Sequence, residues 1–116
     1  HIMIKVIVIG AKGKMGSTTV QAINDAAHLQ LCAAIDIGDS LIDTCTQHQP
    51  DVAVDFTHPS SVFENTKWLI DHNVRPVIGT SGLSVEQIED LSQRASQKKC
   101  GTLKCPNFAI GFKTIL

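Results

Sequence analysis

The stretch Ile4-Lys5-Val6-Ile7-Val8-Ile9-Gly10-Ala11-Lys12-Gly13-Lys14-Met15-Gly16 decides how the rest of the chain is read. Apart from Lys5, its first six residues are apolar and β-branched, the composition of a buried strand. Glycines follow at positions 10, 13 and 16. Beyond them Val20, Ile23 and Ala27 recur with helical spacing, and Thr18, Gln21 and Asn24 take the opposite face. Strand, glycine turn and helix in this order form the setting in which a turn holds a dinucleotide diphosphate. Gly10 lets the backbone swing sharply as the strand ends. Gly13 leaves room for a pyrophosphate to approach the backbone, and Gly16 lets the helix sit close to the strand. Amide N–H groups at the helix start, aided by the helix dipole, then hold phosphate oxygens. The spacing is G-x-x-G-x-x-G rather than G-x-G-x-x-G, so the turn alone also fits a βα connection that binds nothing.

A second signal lies one strand further on. Leu29–Ile35 is another apolar strand, and it ends at Asp36, 20 residues beyond Gly16. A carboxylate at that strand tip is placed to accept hydrogen bonds from the hydroxyls of an adenosine ribose.

Composition narrows the class. The 116 residues suffice for one domain, and 43% hydrophobic with 18% charged residues is ordinary for a globule. A net charge of −1 argues against nucleic acid or an anionic membrane as the main partner. No apolar run approaches the ~20 residues of a transmembrane helix. His1 and Ile2 read as a vector-derived lead before an initiator Met3. Cys32, Cys45, Cys100 and Cys105 form no C-x-x-C pair, which predicts reduced structural thiols and a cytoplasmic address. His28, His48, His58 and His72 lack ligand spacing, so no metal site is expected.

The remaining chain alternates strands and helices. Residues 37–51 are turn-rich, with a short helix over 40–47, and a third strand follows at 52–56. Ser61 with Glu64 three residues on predicts a capping box for a helix over 62–72. That helix buries Val62, Thr66, Leu69 and Ile70, carries Trp68 at its margin, and ends at Asn73. A fourth strand spans 75–78, with Pro76 near its start, and runs into the small-residue loop Gly79-Thr80-Ser81-Gly82. Ser84 and Gln87 predict a second capping box, for a helix over 85–98 with an apolar stripe at Ile88, Leu91 and Ala95. A fifth strand is expected at 100–105, then a loop over 106–111 and the start of another apolar helix. The pattern predicts an α/β fold, a doubly wound parallel sheet of order 2-1-3-4-5. Ligands then bind at the carboxyl ends of the strands, at the switch point between the first and third. The glycine turn, Phe56-Thr57, Gly79–Ser81 and Cys105–Phe108 all fall on that edge.

In order and spacing, G-A-K-G-K-M-G, V-D-F-T-H-P, V-I-G-T-S-G and P-N-F-A-I-G resemble the N-terminal domain of the 4-hydroxy-tetrahydrodipicolinate reductase (dihydrodipicolinate reductase) family. The likeness runs from Ile4 to Gly111. It implies a Rossmann-like cofactor domain over residues 3–111, with 112–116 beginning the connection to a substrate and tetramerisation domain absent from this chain. It implies that Gly10, Ala11, Lys12, Gly13, Lys14 and Met15 cradle the pyrophosphate and that Asp36 holds the ribose, with Phe56 also in the cofactor site. Gly79, Thr80 and Ser81 would line the nicotinamide, Ser81 standing where the family commonly has Thr. Cys105, Pro106, Asn107 and Phe108 would pass the nicotinamide and begin the hinge. The implied reaction is hydride transfer from NAD(P)H to a cyclic dicarboxylate in the diaminopimelate route to lysine, by a homotetramer. The family's His-His pair with its Lys, and its Ser-Gly-Thr run, do not occur before Leu116. No catalytic residue is therefore expected here, and the chain alone is expected to bind nucleotide without turnover. Ile37 and Gly38 follow Asp36 where some members have Arg, which favours NADH, or equal use of NADPH helped by Lys12. Two other readings share the glycine turn and the ribose acid: a nucleotide-sensing regulatory domain, and the cofactor domain of another amino-acid-pathway dehydrogenase. The regulatory-domain reading does not account for the V-D-F-T-H-P and P-N-F-A-I-G segments.

Overall fold

Side chains of the first strand, β1 (Ile4–Ile9), alternate between two buried faces. Val6 and Val8 point to one side, and Ile7 and Ile9 to the other, all under 5% exposed. A strand apolar on both faces must be covered on both, and the rest of the chain supplies those layers. The computed structural model describes residues 3–99. After β1 come α1 (Lys14–Asp25), β2 (Leu29–Ile35), α2 (Leu41–His48), β3 (Val52–Asp55), α3 (Pro59–Asp71), β4 (Arg75–Ile78) and α4 (Val85–Lys99).

The four described strands are parallel and ordered β2-β1-β3-β4, as the alternation of elements predicted. The expected fifth strand over 100–105 and the loop over 106–111 lie outside the described residues. Ile23 of α1 packs with Val6, Val8 and Val54 on one face of the sheet. On the other, Ile7, Ile9 and Ala53 meet Cys45 of α2 and Leu69 of α3. Leu91 and Ala95 of α4 close a third cluster against Val62 and Ile70 of α3 and Ile78 of β4.

Strand register fixes where the chain leaves the sheet. Ile9 pairs with both Ile35 and Asp55, and Asp55 pairs with Ile78. The strands therefore end flush, so the next residues, Asp36, Gly10, Phe56 and Gly79, share one edge. Midway along β1 the pairing slips between Val6 and Ile7, and Cys32 is the residue passed over on β2.

Local signals held where nothing competed with them. The Ser84 box forms in full: Gln87 N–H donates to Ser84 Oγ at 3.1 Å, and Ser84 N–H donates to Gln87 Oε1 at 3.0 Å. Asn73 ends α3 in a left-handed conformation, φ 64°. Val62, Thr66, Leu69 and Ile70 are all buried.

Three expectations are corrected. The helix predicted from Ser61 starts earlier, at Pro59, whose missing N–H suits a first helical position. His58 caps it: its ring Nδ1 accepts from Ser60 N–H at 3.3 Å, and its carbonyl accepts from Ser61 and Val62 N–H. Ser61 thus lies inside the helix, and Glu64 instead faces Lys67 at 3.6 Å. Ala27 is outside α1 and exposed, because Ile4 N–H already pairs with the His28 carbonyl and draws the chain into the sheet. Ile88 is 41% exposed, since only Leu91 and Ala95 of its stripe reach the α3–β4 cluster.

Leu91→Ala is expected to cost about 2–5 kcal/mol through the cavity it leaves, and Ser84→Ala about 1 kcal/mol through the lost cap. Both should lower the urea midpoint while leaving the slope of the transition unchanged.

Candidate functional site

The glycine turn is held by backbone bonds to the neighbouring strand. Gly10 has φ 80°, and a Cβ there would sit 3.1 Å from the Phe56 carbonyl carbon. Gly10 and Ala11 N–H both donate to the Ile35 carbonyl, at 2.9 and 3.1 Å. A Cβ on Gly16 would lie 2.2 Å from the Gly10 carbonyl oxygen and 2.8 Å from Ala11 Cα, so only glycine permits the approach of α1 to the turn. Gly13 differs: a Cβ there would meet nothing nearer than 3.7 Å. Packing among the described residues does not demand glycine at 13, and Gly13 lines a cleft.

Gly13 also caps α1 without a side chain to offer. The first backbone bond at that end is Ser17 N–H to the Gly13 carbonyl, at 2.9 Å. The amides of Lys14, Met15 and Gly16 precede it, and among the described residues no side chain caps them. They are open donors at the positive end of a helix dipole.

Asp36 is tied into the same unit. Its Oδ2 accepts from Lys12 N–H at 2.8 Å, and its Oδ1 accepts from Ile37 N–H at 2.8 Å. These two donors, Ile37 first and then Lys12, hold the carboxyl below the usual carboxylate value. Each oxygen keeps a further lone pair for an incoming hydroxyl. Asp36 N–H in turn donates to Asp39 Oδ2 at 2.9 Å, and Asp39 N–H donates to the Asp36 carbonyl at 3.0 Å.

A cleft of about 680 Å³ runs along these strand ends. Of the expected cofactor residues it brings together Gly10, Lys12, Gly13, Asp36 and Phe56. Ala11, Lys14 and Met15 stand in the turn and the first helical residues beside it, not on its lining. Gly79, Thr80 and Ser81 do not line it either. Gly79 lies under the Phe56 ring, where an added Cβ would be 2.2 Å from Cε1. Cys105, Pro106, Asn107 and Phe108 lie outside the described residues.

The cleft also contains residues that sequence reasoning passed over: Asp39, His58, Ser61 and Asn65. Beside them, buried Asp55 accepts from Thr57 N–H (2.8 Å), Thr57 Oγ1 (2.5 Å) and Asn65 Nδ2 (3.0 Å). The V-D-F-T-H-P segment held the only advance signal for this wall. Asn65, ten residues from Asp55, had none.

Elsewhere α2 and α3 border a groove of about 440 Å³ along Leu41, Ile42 and Trp68. Burial pushes the Cys45 thiol up to about 11, a protonated and unreactive state. Among the described residues no group of three or more His, Cys, Asp or Glu side chains could hold a metal ion. No described helix is long and apolar enough to cross a membrane.

A parallel sheet wound on both faces, with a glycine turn and a strand-end acid at its switch point, defines a Rossmann-like domain. The family described as "Dihydrodipicolinate reductase, N-terminus" matches residues 4–108, and the chain belongs to that family. The 4-hydroxy-tetrahydrodipicolinate reductase of Thermosynechococcus vestitus is 41% identical, over 93% of this chain and 48% of its own length. That of Mycobacterium marinum is 44% identical, over 92% of this chain and 44% of its own length. Among solved structures, the dipicolinate-bound dihydrodipicolinate reductase from Paenisporosarcina sp. TG-14 superposes with a TM-score of 0.78 at 28% identity, over 84% of this chain and 45% of that one. The chain thus spans about half the length of the relatives it matches. The resemblance read from the four motifs is borne out over the region that the family covers.

Gly16→Ala is expected to lower stability by about 1–3 kcal/mol, through displacement of α1 from the turn, read by chemical denaturation. The Asp36 carboxyl is depressed in the folded chain, so its bonds to the Lys12 and Ile37 amides persist above its ordinary 3.8 and are lost as pH falls through the lower folded value. An acid titration followed by amide NMR should show both signals moving together with a midpoint under 3.8, and Asp36→Asn should abolish that transition.

Proposed function

We propose that this chain is the nicotinamide-dinucleotide-binding half of a 4-hydroxy-tetrahydrodipicolinate reductase. The complete protein transfers a hydride from NAD(P)H to the cyclic dicarboxylate precursor in the diaminopimelate route to lysine. One observation carries the reading: the uncapped amides of Lys14, Met15 and Gly16 stand next to the ionised carboxylate of Asp36 along one strand edge. Open amides at a helix start and a carboxylate at the tip of the adjacent strand are the donor and acceptor types that a diphosphate with a ribose beside it requires. When bound, the cofactor supplies the hydride; this chain's residues bind and orient it. Gly10 to Met15 receive the pyrophosphate, with Lys12 and Lys14 near its charge. Asp36 receives the ribose hydroxyls, and Phe56 forms part of the same wall. Gly79, Thr80, Ser81 and Cys105 to Phe108 serve the nicotinamide end.

In this reading residues 3–111 form the cofactor domain, and 112–116 begin the link to a substrate and tetramerisation domain. The chain alone binds nucleotide without turning substrate over, because the His, Lys and Ser-Gly-Thr elements of the family's substrate domain do not occur in it. NADH is preferred or equal to NADPH, since Ile37 and Gly38 follow Asp36 and bring no cation. The address is cytoplasmic, in keeping with Cys32 and Cys45 as free thiols.

Calorimetric titration of the chain with NADH is expected to show one site, and Asp36→Ala to weaken it about 10–100-fold by loss of hydrogen bonds to a charged acceptor. A chain that binds neither NADH nor NADPH overturns the reading. NADPH binding tenfold tighter than NADH overturns the cofactor preference alone.

A further inference from the structure

We propose that Asp39 is a determinant of cofactor choice: its carboxylate stands beside Asp36 on the cleft and disfavours a phosphate on the ribose that Asp36 receives. This rests on the proposed function, which makes the Asp36 end of the cleft the ribose end. Asp39 is not a freely swinging surface acid. Its Oδ2 accepts from Asp36 N–H at 2.9 Å, and its own N–H donates to the Asp36 carbonyl at 3.0 Å. Gly38, at φ 97°, closes the short turn that makes this reciprocal pair. The second carboxylate is therefore fixed relative to the first, and both line the cleft. Among the described residues that line the cleft, Lys12 is the only Lys or Arg, and its backbone N–H already serves Asp36. Ile37, at the turn itself, is 95% exposed and brings no charge.

A ribose hydroxyl needs acceptors and is indifferent to a neighbouring carboxylate. A phosphate ester there carries close to two negative charges near pH 7 and meets two fixed carboxylates against one ammonium. The site is open to solvent, so the penalty is screened and belongs to the range of several-fold rather than thousands-fold.

Two neutral variants separate charge from architecture. Asp39→Asn and Asp39→Ser each keep an oxygen that can accept from Asp36 N–H while removing the negative charge. Calorimetry on the chain, with NADH and NADPH in parallel, is expected to show the ratio of NADPH Kd to NADH Kd falling about three- to tenfold in either variant. The gain should shrink at molar salt, where the screening length is about 3 Å. Far-ultraviolet dichroism melts check that each variant is folded. If both cofactors are bound and their affinity ratio does not move, the inference is overturned while the proposed function stands. Equal weakening of both cofactors also overturns it, because Asp39 would then only support the loop. Binding of neither nucleotide by the unsubstituted chain overturns the proposed function, and this inference with it.

Discussion

The approach of α1 to Gly10, the first residue after β1, is the constraint on which the strand edge depends. Gly16 stands so close to the Gly10 carbonyl that a single methyl group would collide with it. That contact aims the start of α1 across the sheet edge. Among the described residues the first amides of the helix have no capping partner, since the capping residue, Gly13, has no side chain. The turn is then clipped to β2 through the Ile35 carbonyl, which accepts from both Gly10 and Ala11. Asp36, the next residue after β2, takes the Lys12 amide. Turn and carboxylate are thus one hydrogen-bonded unit, and displacing either moves the other.

The opposite wall depends on Phe56. Its backbone lies against Gly10, and its ring fills the space that a side chain at Gly79 would need. Three strand ends are thereby held at fixed spacing by one residue and two glycines. Burying Asp55 next to this wedge would be costly if it were left unpaired. Thr57 and Asn65 supply its partners, and both also border the cleft. The cleft wall from α3 is therefore tied to the end of β3 through Asp55, although its residues bear no resemblance to a glycine motif.

Local patterns were legible in proportion to how little competed with them. Ser84-x-x-Gln87 and Ser61-x-x-Glu64 carry the same kind of signal, yet only the first forms a cap. At the second, Pro59 and His58 start the helix earlier and leave Ser61 within it. Ile88 and Leu91 belong to one apolar stripe, but contact with α3 reaches only the latter. Asp36 was readable because a fixed offset from the glycine turn and an apolar strand both pointed to it. Asp39 and Asn65 were not, because their partners are set by loop closure and by helix placement.

By itself the sequence determined the strand and helix order, the parallel sheet, the glycine turn and the acid beyond the second strand. These arise from periodicity and from residue types whose backbone demands are local. Only the tertiary structure decided which residues share the cleft. Strand register, the Phe56 wedge and the depth at which α1 seats are settled by packing between segments far apart in the chain. Short-range spacing contains no record of those distances.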